Sequence, residues 1–161
     1  MLIRKVRQDE IPELFLEGYK VWNKGRSFDK YCADNSKEDG YGVRYVVEEN
    51  NNIISSLILL KLNKIGEYAV YGIGSVLTKS DFVGKGYATL LLKYSLQKIT
   101  EKNRYVFLYS EINKKFYERL HFRPLPERLQ KDGKAVCMVS CSDELWEKLL
   151  KKDINSIPEY F

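Results

Sequence analysis

The chain has 161 residues, 44% of them hydrophobic and 30% charged, enough for one domain with a proper core and short for two. Its net charge of +5 and pI near 9.0 suit an anionic ligand, but the 27 basic and 22 acidic residues are interspersed and form no nucleic-acid-binding stripe. The three cysteines Cys32, Cys137 and Cys141 lack metal-ligand spacing, no apolar run follows the basic N-terminus, and the stretch Ile53 to Leu60 is broken by Ser55 and Ser56. Reduced thiols, no metal, no membrane span and a cytoplasmic setting are therefore expected.

In chain order, Leu2 to Val6 alternates apolar and basic residues as a strand does, and Asp9 is placed to cap a helix with Ile11, Leu14, Phe15, Gly18 and Trp22 on one face. Pro12 falls in its first turn, where proline is tolerated. Ser27 is set to cap a second helix holding Phe28, Tyr31 and Cys32, and Asp34 to Gly42 reads as a polar, mobile loop. Two β-rich runs, Tyr41 to Glu49 and Ile53 to Lys61, flank Asn50, Asn51 and Asn52, residues that favour a tight hairpin reversal. A further strand, about Tyr68 to Leu77, follows a turn at Gly66. Beyond a long helix comes Tyr105 to Ser110, then a hairpin of Arg128 to Lys131 with Ala135 to Cys141 divided at Asp132-Gly133, and a last helix from Asp143 to Lys152. Cys137 and Cys141 share strand parity and read as core residues on one side. No repeat, linker or low-complexity segment is visible.

The chain is organised around Tyr71 to Gln97, where β-favouring residues give way to a short polar segment with two glycines. A helical period follows, with Ala88, Leu91, Leu92, Ser95, Leu96 and Ile99 on one face. The first turn of a helix carries unpaired N–H groups and the positive end of the macrodipole. Gly84 and Gly86 let an anion approach the amides of residues 84 to 88, and Lys85 adds a positive charge. Plain turn glycines are the alternative reading.

The segment Val83-Gly84-Lys85-Gly86-Tyr87-Ala88 resembles the pyrophosphate-binding motif Arg/Gln-x-x-Gly-x-Gly/Ala of the GNAT (Gcn5-related) N-acetyltransferase superfamily, with Val83 standing where the pattern has Arg or Gln. A second stretch, Tyr109 to Arg123, is similar to the family's later Phe-Tyr-Glu-x-x-Gly-Phe motif, with His121 in place of the glycine. The resemblance implies an α/β (α+β) GNAT fold over residues 1–161 as a single domain, with a mixed, mostly antiparallel central sheet flanked by helices. It implies acetyl-CoA as acetyl donor and a small-molecule or protein amine as acceptor; a homodimer is left open. Backbone groups of Val76, Leu77 and Thr78 would meet pantetheine and the acetyl carbonyl, and Ser110 lies where the family often has an asparagine against the cofactor. The early helices often wall the acceptor site in that family, so Trp22, Phe28 and Tyr31 are candidate substrate contacts beside their reading as core.

The implied reaction is direct attack of an amine on the thioester through a tetrahedral intermediate. It needs an amine free of its proton, an oxyanion donor, and an acid for the departing thiolate. Tyr117 matches the motif tyrosine and is the candidate acid, a packing aromatic being the alternative. The Leu77 amide is the candidate oxyanion donor. For the base the sequence offers Glu67 and Glu111 at strand ends, or a water relay. His121, the one histidine, reads as a capping or surface residue. Two other classes remain open: a catalytically inactive coenzyme A-binding sensor or interaction module, and a basic nucleic-acid binder with a coincidental glycine loop.

Overall fold

The computed structural model describes residues 1–161. Seven strands form a sheet in the order β1-β2-β3-β4-β5-β7-β6, and helices complete a mixed α/β architecture. The strands are β1 Leu2–Lys5, β2 Gly42–Glu49, β3 Asn52–Ile65, β4 Tyr68–Thr78, β5 Arg104–Ser110, β6 Arg123–Pro124 and β7 Val136–Ser140; the helices are α1 Ile11–Trp22, α2 Phe28–Ser36, α3 Tyr87–Leu96, α4 Lys115–Glu118 and α5 Asp143–Leu150. β4 and β5 are parallel, whereas β1-β2, β2-β3, β5-β7 and β6-β7 are antiparallel. By contacts the chain forms two compact units, Met1–Leu60 with Ser75–Lys98 and Lys61–Gly74 with Ile99–Phe161.

In the first unit the β2-β3 hairpin turns at Asn50 and Asn51, whose φ values of 50° and 61° are the left-handed pair such a reversal requires and asparagine tolerates. α1 turns Leu14, Phe15 and Gly18 inward, and Leu14 packs with Val46 and Ile53. Asp9 does not cap this helix. A 3-10 turn, Gln8–Glu10, precedes it, and Glu10 takes the anchoring role: its carboxylate accepts from the Arg7 amide (2.8 Å) and from two Arg4 nitrogens (2.8 and 2.7 Å). Ser27 caps α2 as expected, accepting from the Lys30 amide at 3.2 Å.

The segment read as a mobile loop is instead the end of α2 followed by a 3-10 turn, Lys37–Gly40. Its order comes from Arg44 on β2, a buried side chain whose Nε donates to Asp39 (2.7 Å) and whose Nη2 donates to the Asn35 carbonyl (3.0 Å). A buried guanidinium must find such partners, and it holds the passing chain in finding them. α3 buries Leu91, Leu92 and Ser95 and ends at Leu96, before Ile99.

In the second unit the parallel register of β4 and β5 runs from Ala69↔Arg104 to Ile73↔Leu108. Tyr105, Phe107, Cys137 and Val139 pack with Leu145 and Leu149 of α5, and Cys141 packs against the same cluster. β3 extends past the expected Lys61 to Ile65, which is buried in this core. The expected hairpin over Arg128 to Lys131 does not form; β7 pairs with Arg123–Pro124, and residues 127–129 make a 3-10 turn. Gln130 stands in for a strand there: its side chain donates to the carbonyls of Leu125 (2.9 Å) and Cys137 (3.0 Å) and accepts from the Cys137 amide (2.7 Å). No helix is long and apolar enough to cross a membrane.

Candidate active site

β4 changes character at Ser75, a non-glycine residue with φ 50°, beyond the last pair of its parallel ladder. The strand then carries the half-buried Val76, Leu77 and Thr78 to its end. Ser55 of β3 fixes this end, donating from Oγ to the Leu77 carbonyl (2.8 Å) and lying 2.9 Å from the Thr78 hydroxyl, while the Lys79 amide donates to the Ile54 carbonyl (2.9 Å).

A 3-10 turn, Ser80–Phe82, leads into Val83, which is 64% exposed. Gly84 and Gly86 take φ values of 81° and 86°, and no heavy atom lies within 4 Å of where a Cβ would stand at either. Gly86 is the N-cap of α3. The first intrahelical bond runs from the Leu90 amide to the Gly86 carbonyl (3.0 Å), leaving the Tyr87, Ala88 and Thr89 amides without an acceptor in the helix. The sequence places no carboxylate in the first turn of α3, so the dipole's positive end has no built-in counter-charge. Lys85 Nζ lies 5.1 Å from the Phe82 ring, which meets Tyr87 edge to face. Tyr87 donates to Glu49 (2.8 Å), a bond that raises the phenol's pKa and fixes the ring. Residues 76–78 and 83–88 are thus gathered at one end of β4 with rigid support from β2 and β3. Ser55 and Glu49, which supply that support, were not singled out by sequence.

A small cleft, open at its mouth, lies in the same unit. Trp22, Tyr31, Arg44, Ser56, Ser75 and Leu77 contribute to its walls. Gly18 makes it possible: a Cβ there would stand 2.3 Å from the Tyr31 hydroxyl. Trp22 and Tyr31 are therefore at the pocket, as the sequence reading named them; Phe28 is not, and packs on Tyr19 at 5.4 Å. Arg44, Ser56 and Ser75 were missed.

In the other unit Tyr117 is 6% exposed and sits between Phe116 and Phe122. Its hydroxyl makes no hydrogen bond to the protein, and burial pushes the phenol's pKa up to about 12, so it holds its proton at neutral pH. The buried Ser110 hydroxyl is engaged locally, donating to the Ile112 carbonyl (3.0 Å) and accepting from its amide (3.3 Å). Of the two carboxylates considered as base, Glu67 is exposed in the β3-β4 turn and Glu111 accepts from Tyr160 (2.6 Å). His121 is exposed with φ 65° and closes α4. No group of three His, Cys, Asp or Glu side chains is arranged to hold a metal ion.

The sequence profile of the Acetyltransferase (GNAT) family matches residues 5–122. No curated protein matches the sequence. Among solved structures the fold is similar to Escherichia coli ElaA (TM-score 0.67, 17% identity, 86% of this chain and 98% of that one). It is similar to a predicted acetyltransferase from Clostridium acetobutylicum solved with acetyl-CoA (TM-score 0.66, 18% identity, 81% and 95%). A conserved protein from Enterococcus faecalis V583 also matches (TM-score 0.65, 17% identity); the match covers 76% of this chain, which spans about a third of that protein's length, 32%. With a strand-loop-helix that presents free amides at Gly86 and a family profile that spans most of its length, this chain belongs to the GNAT acetyltransferase family.

Proposed function

We propose that residues 1–161 act as one catalytic domain that moves the acetyl group of acetyl-CoA to a primary amine. The observation that carries this reading is the α3 N-terminus: Gly84 and Gly86 in left-handed conformations, open space above them, and first-turn amides without helical acceptors beside Lys85. Those features fit a diphosphate, because each amide offers a hydrogen bond while the dipole and Lys85 offer charge. Acetyl-CoA supplies a thioester, already activated toward nucleophiles. The backbone of Val76, Leu77 and Thr78 binds the pantetheine arm, held still by the Ser55 contacts with β4. The Leu77 amide donates to the carbonyl oxygen as negative charge gathers there, an interaction that strengthens toward the transition state. Val83, Tyr87 and Ala88 shape the loop around the diphosphate.

Tyr117 gives its proton to the departing thiolate, a role supported by a phenol that is protonated, buried and free of protein partners. The acceptor ammonium loses its proton to water on entry. Ser110 acts by holding the turn after β5 rather than by touching the cofactor, since both its hydrogen-bonding directions are in use. The test is coenzyme A thiol release from acetyl-CoA with a panel of small amines and an amine-rich peptide, alongside calorimetry of coenzyme A binding. Binding without thiol release from any amine would reject catalysis. It would favour the second reading, a silent coenzyme A-binding module, which the exposed apolar Val83 at the motif's Arg/Gln position supports.

A further inference from the structure

The pocket bounded by α1, α2 and strands β2, β3 and β4 holds polar groups that the fold itself does not use. Tyr31 is 3% exposed, yet its hydroxyl makes no hydrogen bond. Ser56 is 7% exposed and its hydroxyl likewise has no partner. The strand register pairs Val46 with Ser56 and Arg44 with Ile58, so Ser56 and Arg44 project from one face of the sheet. Arg44 is 6% exposed. Its Nε is taken by Asp39 and its Nη2 by the Asn35 carbonyl, while Nη1 has no hydrogen bond. None of these three groups is sealed away from solvent, and all three belong to residues that line one pocket. They are therefore available together to a polar ligand that enters it.

The signs of the charges choose the ligand. Arg44 is the one charged residue among the pocket walls, and no carboxylate lines it. Two acids lie behind the guanidinium: Asp39, bonded to Nε, and Glu38, whose Oε2 is 3.8 Å from Nη2 and itself buried without a hydrogen bond. Burial raises the pKa of Glu38 above that of an ordinary carboxyl. An entering ammonium would meet the cation first; an entering carboxylate would meet Nη1 and two hydroxyls. Burial also raises the Tyr31 pKa, which keeps that phenol a donor. Trp22 and Leu14 supply apolar wall for a short carbon chain, and Ser75 and Leu77 carry the pocket to the end of β4 where the acetyl group is proposed to lie.

We infer that this pocket binds the carboxylate of the acceptor through Tyr31, Ser56 and Arg44, so that the substrate is a small primary amine bearing an acid group, of the amino-acid class, rather than a polyamine or a protein lysine. The inference takes the direction of the amine, toward Leu77, from the proposed transfer reaction; the acid site itself does not depend on it.

The experiment pairs each of a set of free amino acids with its decarboxylated amine. By thiol release, the acid-bearing partner should show a kcat/KM at least about tenfold higher, the scale of one hydrogen bond to a charged group. Tyr31→Phe and Ser56→Ala should each bring that ratio toward one through KM, with the KM for acetyl-CoA held. Both changes remove one hydroxyl and keep the packing volume, so the variants remain foldable. Independently of turnover, thermal melting with millimolar amino acid should rise for wild type and not for Tyr31→Phe, and should not rise with the decarboxylated amines. Absence of thiol release together with that melting pattern would reject transfer and keep the acid site. Equal or better use of decarboxylated amines, or of an amine-rich peptide, would overturn the acid site, as would a melting shift indifferent to the carboxylate.

Discussion

Replacing His121 by glycine should make the protein more stable, and the gain follows from the backbone alone. His121 stands three residues beyond the end of α4, where its amide donates to the Glu118 carbonyl (3.0 Å) and the Phe122 amide donates to the Tyr117 carbonyl (3.2 Å). Those two bonds form a Schellman closure, which needs a left-handed residue at its turning point. His121 supplies one at φ 65°. A side chain in that conformation costs about 1–2 kcal/mol, and glycine forfeits roughly 0.4–1 kcal/mol through the greater freedom of its unfolded chain. The imidazole is exposed and makes no hydrogen bond or ion pair, so truncation loses no contact. The net gain is about 0.5–1 kcal/mol, which for a chain of this size raises the melting temperature by about 1–4 °C. Calorimetric melting of wild type, His121→Gly and His121→Ala checks it. Alanine retains the strain and should match or fall below wild type; an alanine variant as stable as the glycine variant would refute the backbone argument, as would a glycine variant no more stable than wild type.

Other outcomes follow from the same geometry. Tyr117→Phe should lower kcat about a hundredfold or more while calorimetry shows coenzyme A affinity nearly unchanged, because a general acid acts only in the transition state; unchanged turnover would remove Tyr117 from the reaction. Gly86→Ala meets no neighbour but forces a side chain to φ 86°, so the protein should lose about 1–2 kcal/mol of stability and bind coenzyme A more weakly, the first read by denaturant titration and the second by calorimetry. Glu10 should give the acid limb of the stability curve. The bonds from Arg4 and the Arg7 amide hold its carboxyl at about 2, below an ordinary 4.5, so its contribution is full above the unfolded value and is lost as pH falls toward 2. Glu10→Gln should flatten melting temperature against pH across that window, and an unaltered slope would assign the acid limb to other groups.

What could be read from the sequence was what depends on near neighbours. The Asn50-Asn51 reversal, the Ser27 cap and the Gly84–Gly86 junction each rest on a local φ demand or a short hydrogen bond, and residue type announces such demands directly. The failures share the opposite cause. Gln130 imitates a strand with its side chain, Glu10 replaces Asp9 because Arg4 waits on the preceding strand, and residues 37–40 are ordered by a guanidinium on a strand that follows them. These partners lie on other elements, beyond the reach of a capping or turn rule; only the bond from the Arg7 amide to Glu10 is local.

Arg44 is the instructive case, because the signal was present. It shares strand parity with Val46, which is fully buried, and lies directly across from Ile58, also fully buried, so a strand alternation that turns Val46 inward must turn Arg44 inward too. A permanently charged side chain on the core-facing parity of a strand is costly unless it is paired. It therefore predicts carboxylates nearby, which Glu38 and Asp39 supply, and an enclosed polar space beside them. The same parity argument brings Ser56, two residues from Ile58 on the facing strand, to the same face. An inward arginine and an inward serine on paired strands, next to two helices rich in aromatic residues, mark an enclosed polar pocket once the alternation and the pairing of the two strands are known.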